Sequence, residues 1–382
     1  MEIKKYICQK KELYDILLEY IDCNDQLSIY FQNLIDIFEN QEIKESQAEF
    51  RLFLHTLSKI SKNHYRDQFF SHKIEKILIY MKEDIKQTFS NSQIMNIFKN
   101  NKLILLFLLT NQIIDNDEFF EFVIIKNDID YFSFFYVEMK SILDEKVRLQ
   151  IEEELSRAGN DNFEENRLKG ENEKCICEII RKDMIDEFVI YVNRTNLPLS
   201  KWTIQHSIFE TNSFLLKNKK GTTLIEYAFF FGAIQIVKYL LLSQVKLTSS
   251  LWLFAIHSNS ADMIHLLEEN HVIREDESYE EVLKEAIKCH HNEIAEYIQD
   301  NLLDQDVEQD NIEINFDENV LSYSFHYCNF RFFPNNFSNK FVFYYACLYD
   351  YYEIVEFLLK NKRIKINEKL DEIHFKFYSK NS

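Results

Sequence analysis

The sequence predicts an all-α protein, and three observations support this: few turn-forming residues, apolar residues at helical spacing, and an internal repeat. The 382 residues include 4 Gly and 2 Pro, whereas average usage would give roughly 46 of the two together. Tight turns between strands need backbone with positive φ, which Gly supplies most readily, so barrels, sandwiches and doubly wound sheets are disfavoured. The length fits two or three domains, or one long repeat array.

The first third of the chain shows helical periodicity. In the clearest segment, apolar residues from Leu27 to Phe38 recur at intervals of three and four, which places them on one face of a helix. Similar apolar stripes begin at Leu13, Phe50 and Ile74. We therefore predict an N-terminal helical region over residues 1–158.

Two irregular stretches divide the rest of the chain. Residues 159–173 contain two of the four glycines and little apolar material, so we predict a linker there. Residues 304–320 contain seven acidic residues and no basic one, a pattern typical of a solvated insertion. We predict that residues 174–370 form repeated units around this insertion and that residues 371–382 form a C-terminal tail.

A repeated unit becomes visible when the chain is aligned on its alanines. Four alanines are each followed, eight residues later, by an apolar residue: Ala228 by Ile236, Ala255 by Met263, Ala286 by Ile294 and Ala346 by Ile354. The alanines are separated by 27, 31 and 60 residues, so the last interval has room for one degenerate unit. Two short helices cannot bury their shared apolar face alone, so such units are expected to stack.

This unit resembles the ankyrin repeat, whose pattern runs Gly-x-Thr-Pro-Leu-His-x-Ala, followed after three residues by Gly and by a second helix ending in Val-Val-x-Leu-Leu. Nine residues match that pattern position by position: Gly221, Thr223, Ile225, Ala228, Gly232, Ile236, Val237, Leu240 and Leu241. The resemblance is fullest over residues 221–367. It implies a helical solenoid with a protein-binding role and no chemistry of its own. In composition the chain is similar to the ankyrin families of AT-rich protists.

Departures from the ankyrin pattern also carry predictions. Leu224 replaces the family's Pro and Glu226 replaces its His, but Thr223-x-x-Glu226 has the spacing of a capping box, so a helix start is retained. In the later units, three other residues take the place of Gly232: Asn259, His290 and Asp350. Asn and Asp tolerate the left-handed conformation better than His does.

Two upstream segments align less completely with the same unit. In Cys175–Val192, Ile179 falls at the alanine position and Asp183 at the glycine position. In Ile97–Leu109, Asn101 falls at the glycine position, which predicts an eroded helix pair near residues 93–115.

Charge and cysteine usage restrict the cellular setting and the class of partner. The chain has 44 basic and 63 acidic residues, a net charge of −19, which repels nucleic acid and acidic lipid surfaces and favours a basic partner. It has no signal-like apolar segment and no run close to the roughly 20 residues that span a bilayer. Its seven cysteines are odd in number and scattered, as expected of reduced thiols. We predict a cytoplasmic protein that binds neither nucleic acid nor membrane; a nuclear location stays open.

Motifs with a known chemistry are scarce. The glycines are too dispersed for nucleotide-binding loops, and neither H-E-x-x-H nor C-x-x-C occurs. The segments Cys289-His290-His291 and His326-x-Cys328 would supply metal ligands only if their loops met, and we interpret the two adjacent imidazoles as facing solvent. The acidic series of Asp306, Glu308, Asp310 and Asp317 lacks the Gly and the final Glu of a calcium loop. Cys347 follows the core-facing Ala346, so packing accounts for it. We predict no catalytic, metal or cofactor site.

Clustered aromatic residues leave two interpretations open. The segments Phe229–Phe231 and Tyr344–Tyr352 contain more large rings than one helix face can bury, because neighbouring residues diverge by about 100°. Either some rings form a binding face, or adjacent units and the tail residues Phe375–Tyr378 cover them.

These observations favour a non-catalytic scaffold that binds another protein through an ankyrin-type stack. A self-associating architectural array and a regulatory subunit of an enzyme are the alternatives, and the sequence does not specify an oligomeric state.

Overall fold

The structure is a computed structural model, and it describes residues 3–23, 28–66, 70–126, 128–158, 162–217, 220–274, 278–303, 312–333 and 340–360. Helices make up almost all regular structure in these ranges, which confirms the all-α prediction. A bilayer-spanning segment is not found among these helices, since none combines sufficient length with sufficient hydrophobicity.

Twelve α-helices form the N-terminal part: α1 (Ile3–Asp22), α2 (Ser28–Asn40), α3 (Gln47–Asn63), α4 (Phe70–Tyr80), α5 (Lys82–Thr88), α6 (Asn91–Phe98), α7 (Lys102–Thr110), α8 (Asn116–Lys126), α9 (Ile129–Phe134), α10 (Tyr136–Met139), α11 (Glu145–Ala158) and α12 (Phe163–Lys169). The later described helices are α13 (Cys175–Arg181), α14 (Ile185–Thr195), α15 (Ser213–Lys217), α16 (Leu224–Phe230), α17 (Ile234–Leu242), α18 (Leu251–His257), α19 (Ala261–Glu269), α20 (Glu280–Cys289), α21 (Asn292–Asn301), α22 (Ile312–Tyr327), α23 (Lys340–Leu348) and α24 (Tyr352–Lys360). Short 3-10 helices cover Ile43–Glu45 and Phe330–Phe332, and the strands β1 (Thr203–Ile204) and β2 (Thr222–Thr223) pair antiparallel.

The start of α16 has the capping geometry that the sequence predicts. The Thr223 hydroxyl accepts a hydrogen bond from the Glu226 amide at 3.3 Å, and the Glu226 carboxylate accepts one from the Thr223 amide at 2.9 Å. The capping box is therefore confirmed, and it satisfies amides that the first turn of a helix leaves unpaired.

The four aligned alanines occupy equivalent places in successive helices. Ala228, Ala255, Ala286 and Ala346 lie in α16, α18, α20 and α23, and the exposed fraction of each is 0%. Contacts run in sequence: α16 packs against α18, α18 against α20, α20 against α22 and α22 against α23. A methyl side chain at these positions lets neighbouring backbones approach closely.

The turn after each of these helices also recurs. The residue four positions after each alanine has positive φ: +69° at Gly232, +50° at Asn259, +60° at His290 and +62° at Asp350. These residues, which the sequence alignment places at one position, therefore share a left-handed backbone conformation. Asp183, aligned upstream, also has a positive φ, of +49°.

One turn of this kind lies inside the 60-residue interval. Cys328 has a φ of +57°, and the Asn329 amide donates to the carbonyl of the fully buried Ser324 at 2.9 Å. The Ala233 amide donates to Ala228 in the same way, also at 2.9 Å. The buried Ser324 in α22 therefore has the same place relative to its turn as Ala228 has in α16.

Asn101 departs from its predicted role. The helices α6 and α7 do form a contacting pair, but Asn101 has a φ of −129° and caps α7, its side chain accepting a hydrogen bond from the Ile104 amide. The prediction of a glycine-like turn at Asn101 is wrong, because Asn serves equally well as a helix N-cap.

The two stretches predicted to be irregular are partly helical. Within 159–173, α12 forms, and the buried Arg167 pairs with Glu138 at 2.7 Å and with Glu164 at 2.6 Å. The acidic residues Asp306, Glu308 and Asp310 lie outside the described residues, but α22 begins at Ile312, so the irregular segment does not extend to residue 320. Apolar side chains later in α22, such as that of Phe325, are buried, and their packing stabilises this helix. The tail, 371–382, lies outside the described residues.

The buried apolar side chains form two clusters whose membership differs from the predicted domains. One cluster joins helices from α13 to α21. The other combines the N-terminal helices with residues of α22, α23 and α24, including Phe325, Tyr345 and Leu358. Tyr14 on α1 lies 5.9 Å from Phe330, ring to ring, and α3 contacts both α20 and α24. The N-terminal region and the C-terminal helices therefore share one core.

Replacing a buried methyl group by a phenyl ring tests this packing. We expect Ala255→Phe to lower the free energy of unfolding by about 1–3 kcal/mol or more, because α18 is in contact with α16 and α20. The exposed Ala261, six residues later on α19, provides a matched control, and Ala261→Phe should change stability by no more than about 0.5 kcal/mol. Urea unfolding followed by circular dichroism measures both, and equal losses would contradict the proposed packing.

Candidate functional site

A polar cluster is buried between α18 and α20. His257 Nε2 lies 2.9 Å from Glu285 Oε1, and Cys289 Sγ lies 3.6 Å from His257 Nδ1. Within the described residues, these three form the only set of His, Cys, Asp or Glu side chains close enough together to hold a metal ion. Lys288 also forms an ion pair with Glu285.

The protonation states in this cluster favour neither nucleophilic catalysis nor metal binding. Burial raises the pKa of the Cys289 thiol well above its usual value and lowers that of His257. Burial opposes ionisation of Glu285, but hydrogen bonds from His257 and Lys288 lower its pKa, so the carboxylate is charged. A nucleophilic or metal-binding cysteine must be a thiolate, whereas this thiol is protonated, fully buried and beside a carboxylate already held by Lys288. We interpret these residues as buried polar groups that satisfy one another's hydrogen bonds.

The imidazoles of His290 and His291 are buried, each 2% exposed, so the prediction that they face solvent is wrong. The N-terminal helices cover them: Tyr14 on α1 contacts His290 Nδ1 at 2.9 Å, and the Tyr65 amide, just after α3, donates to His291 Nε2 at 3.3 Å. His291 Nδ1 lies 2.7 Å from the Ile256 carbonyl oxygen. A cavity of about 420 Å³ lies beside these rings. The histidines thus join the two halves of the chain.

An open groove lies between α3 and the C-terminal helices. Its volume is about 320 Å³, and its lining includes Arg51, His55 and Lys59 on α3 and His326, Tyr349 and Tyr352 opposite them. The rings of His326 and Tyr349 stack, with centroids 5.0 Å apart. This volume is at the lower end of the range for ligand pockets, and the walls offer rings and hydrogen-bond donors to a bound chain.

The groove is electropositive along α3. Burial, followed by the positive charges of Lys59 and Arg51, lowers the pKa of His55 to about 4, so His55 is neutral at pH 7. Arg51 Nη1 lies 3.5 Å from Asp350 Oδ2, near the exposed rim. Sequence reasoning missed this set of residues. The signal was present, because Arg51, His55 and Lys59 are four residues apart and share one helix face.

The aromatic segments fall mostly into the core. Phe229, Phe230, Tyr345 and Tyr351 are buried. Tyr351 packs on Phe325 with ring centroids 4.8 Å apart, so neighbouring units cover it. Tyr352 is 55% exposed, and it lines the groove together with Tyr349.

The remaining candidate residues lie in different parts of the structure. Cys347 is exposed, so the prediction that packing accounts for it is wrong: it is adjacent to Ala346 and points about 100° away from it. Cys328 is buried in the cluster that the N-terminal helices share with α22, α23 and α24, and His326 stacks in the groove. Neither belongs to the possible metal set among the described residues. Asp317 and the tail residues Phe375–Tyr378 lie outside the side chains that the structure describes.

No protein-family model, no curated protein and no solved structure matches the chain. Functional assignment therefore depends on the arrangement of residues described above.

Buried histidines make the stability of the fold sensitive to acid. Burial, and then the charge of His64, lowers the pKa of His291 well below its usual value; the other groups facing it are His257 and His290. Because the unfolded chain binds a proton below about pH 6.5 and the folded chain does not, stability falls as the pH drops from 7 to 5.

We expect His291→Gln to reduce that loss by about 1–2 kcal/mol, since glutamine is uncharged and keeps a donor for the Ile256 carbonyl. Urea unfolding at several pH values measures the effect. The exposed His265 on α19 offers a control, His265→Gln, which should leave the pH dependence close to that of the unmodified protein. Parallel stability profiles for all three proteins would argue against this role of His291.

Proposed function

We propose that the protein is a non-catalytic scaffold of ankyrin type, in which stacked helix pairs hold a preformed groove against another protein. The observation that carries this proposal is the equivalent burial of Ala228, Ala255, Ala286 and Ala346, each followed by the same left-handed turn. Recurrent small residues and recurrent turns are expected of units that stack in series.

The chemistry of the buried polar cluster supports a non-catalytic role. Cys289 is protonated and inaccessible, and the charged Glu285 carboxylate forms an ion pair with Lys288. A catalytic cysteine needs thiolate character and access to substrate.

The groove supports a binding role. Its walls are built by α3 on one side and by α22 and the turn from α23 to α24 on the other, so side chains from distant parts of the chain are held in place before binding. A rigid, preformed surface loses little conformational entropy when a partner binds. The net charge of −19 disfavours nucleic acid as the partner. This negative net charge also led us to expect a partner with a basic surface. The α3 wall of the groove, however, is positively charged.

Self-association and enzyme regulation are the competing proposals. Self-association makes a second copy of the chain the partner, and light scattering of the purified protein distinguishes it. A monomer across micromolar concentrations would favour the scaffold, whereas a concentration-dependent multimer would favour the architectural array.

Affinity capture from the native cell tests the groove as the binding surface. We expect Tyr352→Ala to weaken recovery of the captured partner by about tenfold, because exposed tyrosines in grooves are common binding anchors. Leu242→Ala removes an even more exposed apolar side chain at the end of α17, away from the groove, and should not alter recovery. Identical recovery with both variants would count against the groove.

A further inference from the structure

One face of α3 carries a continuous row of basic side chains at helical spacing: Arg51, His55, Lys59, Lys62 and, just past the end of the helix, Arg66. Residues three or four apart on a helix are neighbours on its surface. All five side chains are partly buried, so the row faces other parts of the protein and not open solvent. Its first members line the groove described above.

Further lysines lie near this row on two other helices. The helix α20 packs against α3 and carries Lys284 and Lys288 one turn apart. The helix α15 ends at Lys217, and Phe214 of that helix has its ring centre 6.0 Å from Lys288 Nζ. We call Lys59, Lys62, Lys217, Lys284 and Lys288 the lysine cluster.

Most of these charges lack an acidic partner. Lys288 pairs with Glu285, which is also hydrogen-bonded to His257. Over the ranges that the structure describes, no ion pair involves Lys59, Lys62, Lys217 or Lys284. Lys59 and Lys284 lie over tyrosine rings instead, with Nζ 5.8 Å from the ring centre of Tyr327 and 5.4 Å from that of Tyr323.

The positive charges of these lysines repel one another, and Lys62 is partly removed from water. Burial, followed by the charges of Lys288, Lys59 and Lys217, lowers the pKa of Lys62 to about 8. Like charges gathered out of water destabilise a fold unless a counter-charge is supplied. A bound anion would supply it.

We propose that the lysine cluster binds an acidic segment of a partner protein lying in the groove, an inference that rests on the groove's proposed binding role. Lys59 belongs to both features, and burial followed by the charges of Lys59, Lys284 and Lys288 lowers the pKa of His326 in the groove to about 4. A chain in the groove would therefore bring its carboxylates close to these lysines. A long polyanion such as nucleic acid is disfavoured, because the surrounding protein carries a net charge of −19. A short acidic segment feels mainly the local charge, since screening limits the field to about 10 Å.

Fluorescence anisotropy with a labelled octaglutamate peptide tests the proposal on the full chain at about 0.1 M salt, where screening limits the field to about 10 Å. We expect binding that weakens with added salt and is about tenfold weaker for Lys62→Glu. The control is Lys86→Glu, on an exposed face of α5, which changes the net charge by the same amount and should bind like the unmodified protein. Equal binding by the two variants would overturn the lysine cluster as the site. So would tighter binding of octalysine, or of an eight-nucleotide single strand, than of octaglutamate.

A second variant separates binding from folding. Lys62→Met removes a repelled charge, so we expect the thermal midpoint of the free protein to rise by a few degrees and the further rise caused by octaglutamate to become smaller. A lysine with a structural role would lower the midpoint when replaced, and that result would overturn the proposal. Because the peptide assay does not involve Tyr352, its failure leaves the outcome of the capture experiment, and with it the scaffold, unaffected.

Discussion

Close approach of consecutive helices is the constraint on which the rest of the structure depends. At Ala228, Ala255, Ala286 and Ala346 the side chain is a methyl group with no exposed surface. The turn that follows reverses the chain with a left-handed residue, so the second helix of each pair returns against the first. A larger side chain would move neighbouring helices apart, and a residue that resists positive φ would misdirect the second helix.

The left-handed turn at His290 shows how this constraint connects distant parts of the chain. Histidine adopts positive φ less readily than glycine, at a cost of roughly 1–2 kcal/mol. Here its ring is buried, and Tyr14 on α1 contacts Nδ1 at 2.9 Å. The N-terminal helix thus contacts a turn whose residue fits positive φ less well than glycine does, which offsets part of the cost. The adjacent His291 is held in the same way by the Tyr65 amide.

Local features were predictable from the sequence, whereas long-range contacts were not. The capping box of Thr223 and Glu226 and the turn residues after each alanine depend on residues a few positions apart, and their chemistry can be read from spacing. The burial of His290 depends on α1, nearly 280 residues away in the chain. The 60-residue interval was predicted to have room for one degenerate unit, but Ser324 and Cys328 could not be identified in it, because neither alanine nor glycine is present there to mark the turn.

The groove shows a similar limit. Helical spacing places Arg51, His55 and Lys59 on one face, but no local pattern shows that His326 and Tyr349 lie opposite.

The charge of the groove explains why composition alone predicts a partner poorly. A net charge of −19 describes the field far from the protein, while a partner in contact meets the charges within a few ångströms. The chain has 63 acidic residues, yet it leaves most of the lysine cluster without one among the described residues. Folding alone gives no reason for such an arrangement, because a single carboxylate nearby would stabilise it. Sites that forgo stability in this way are expected where a ligand supplies the missing interaction.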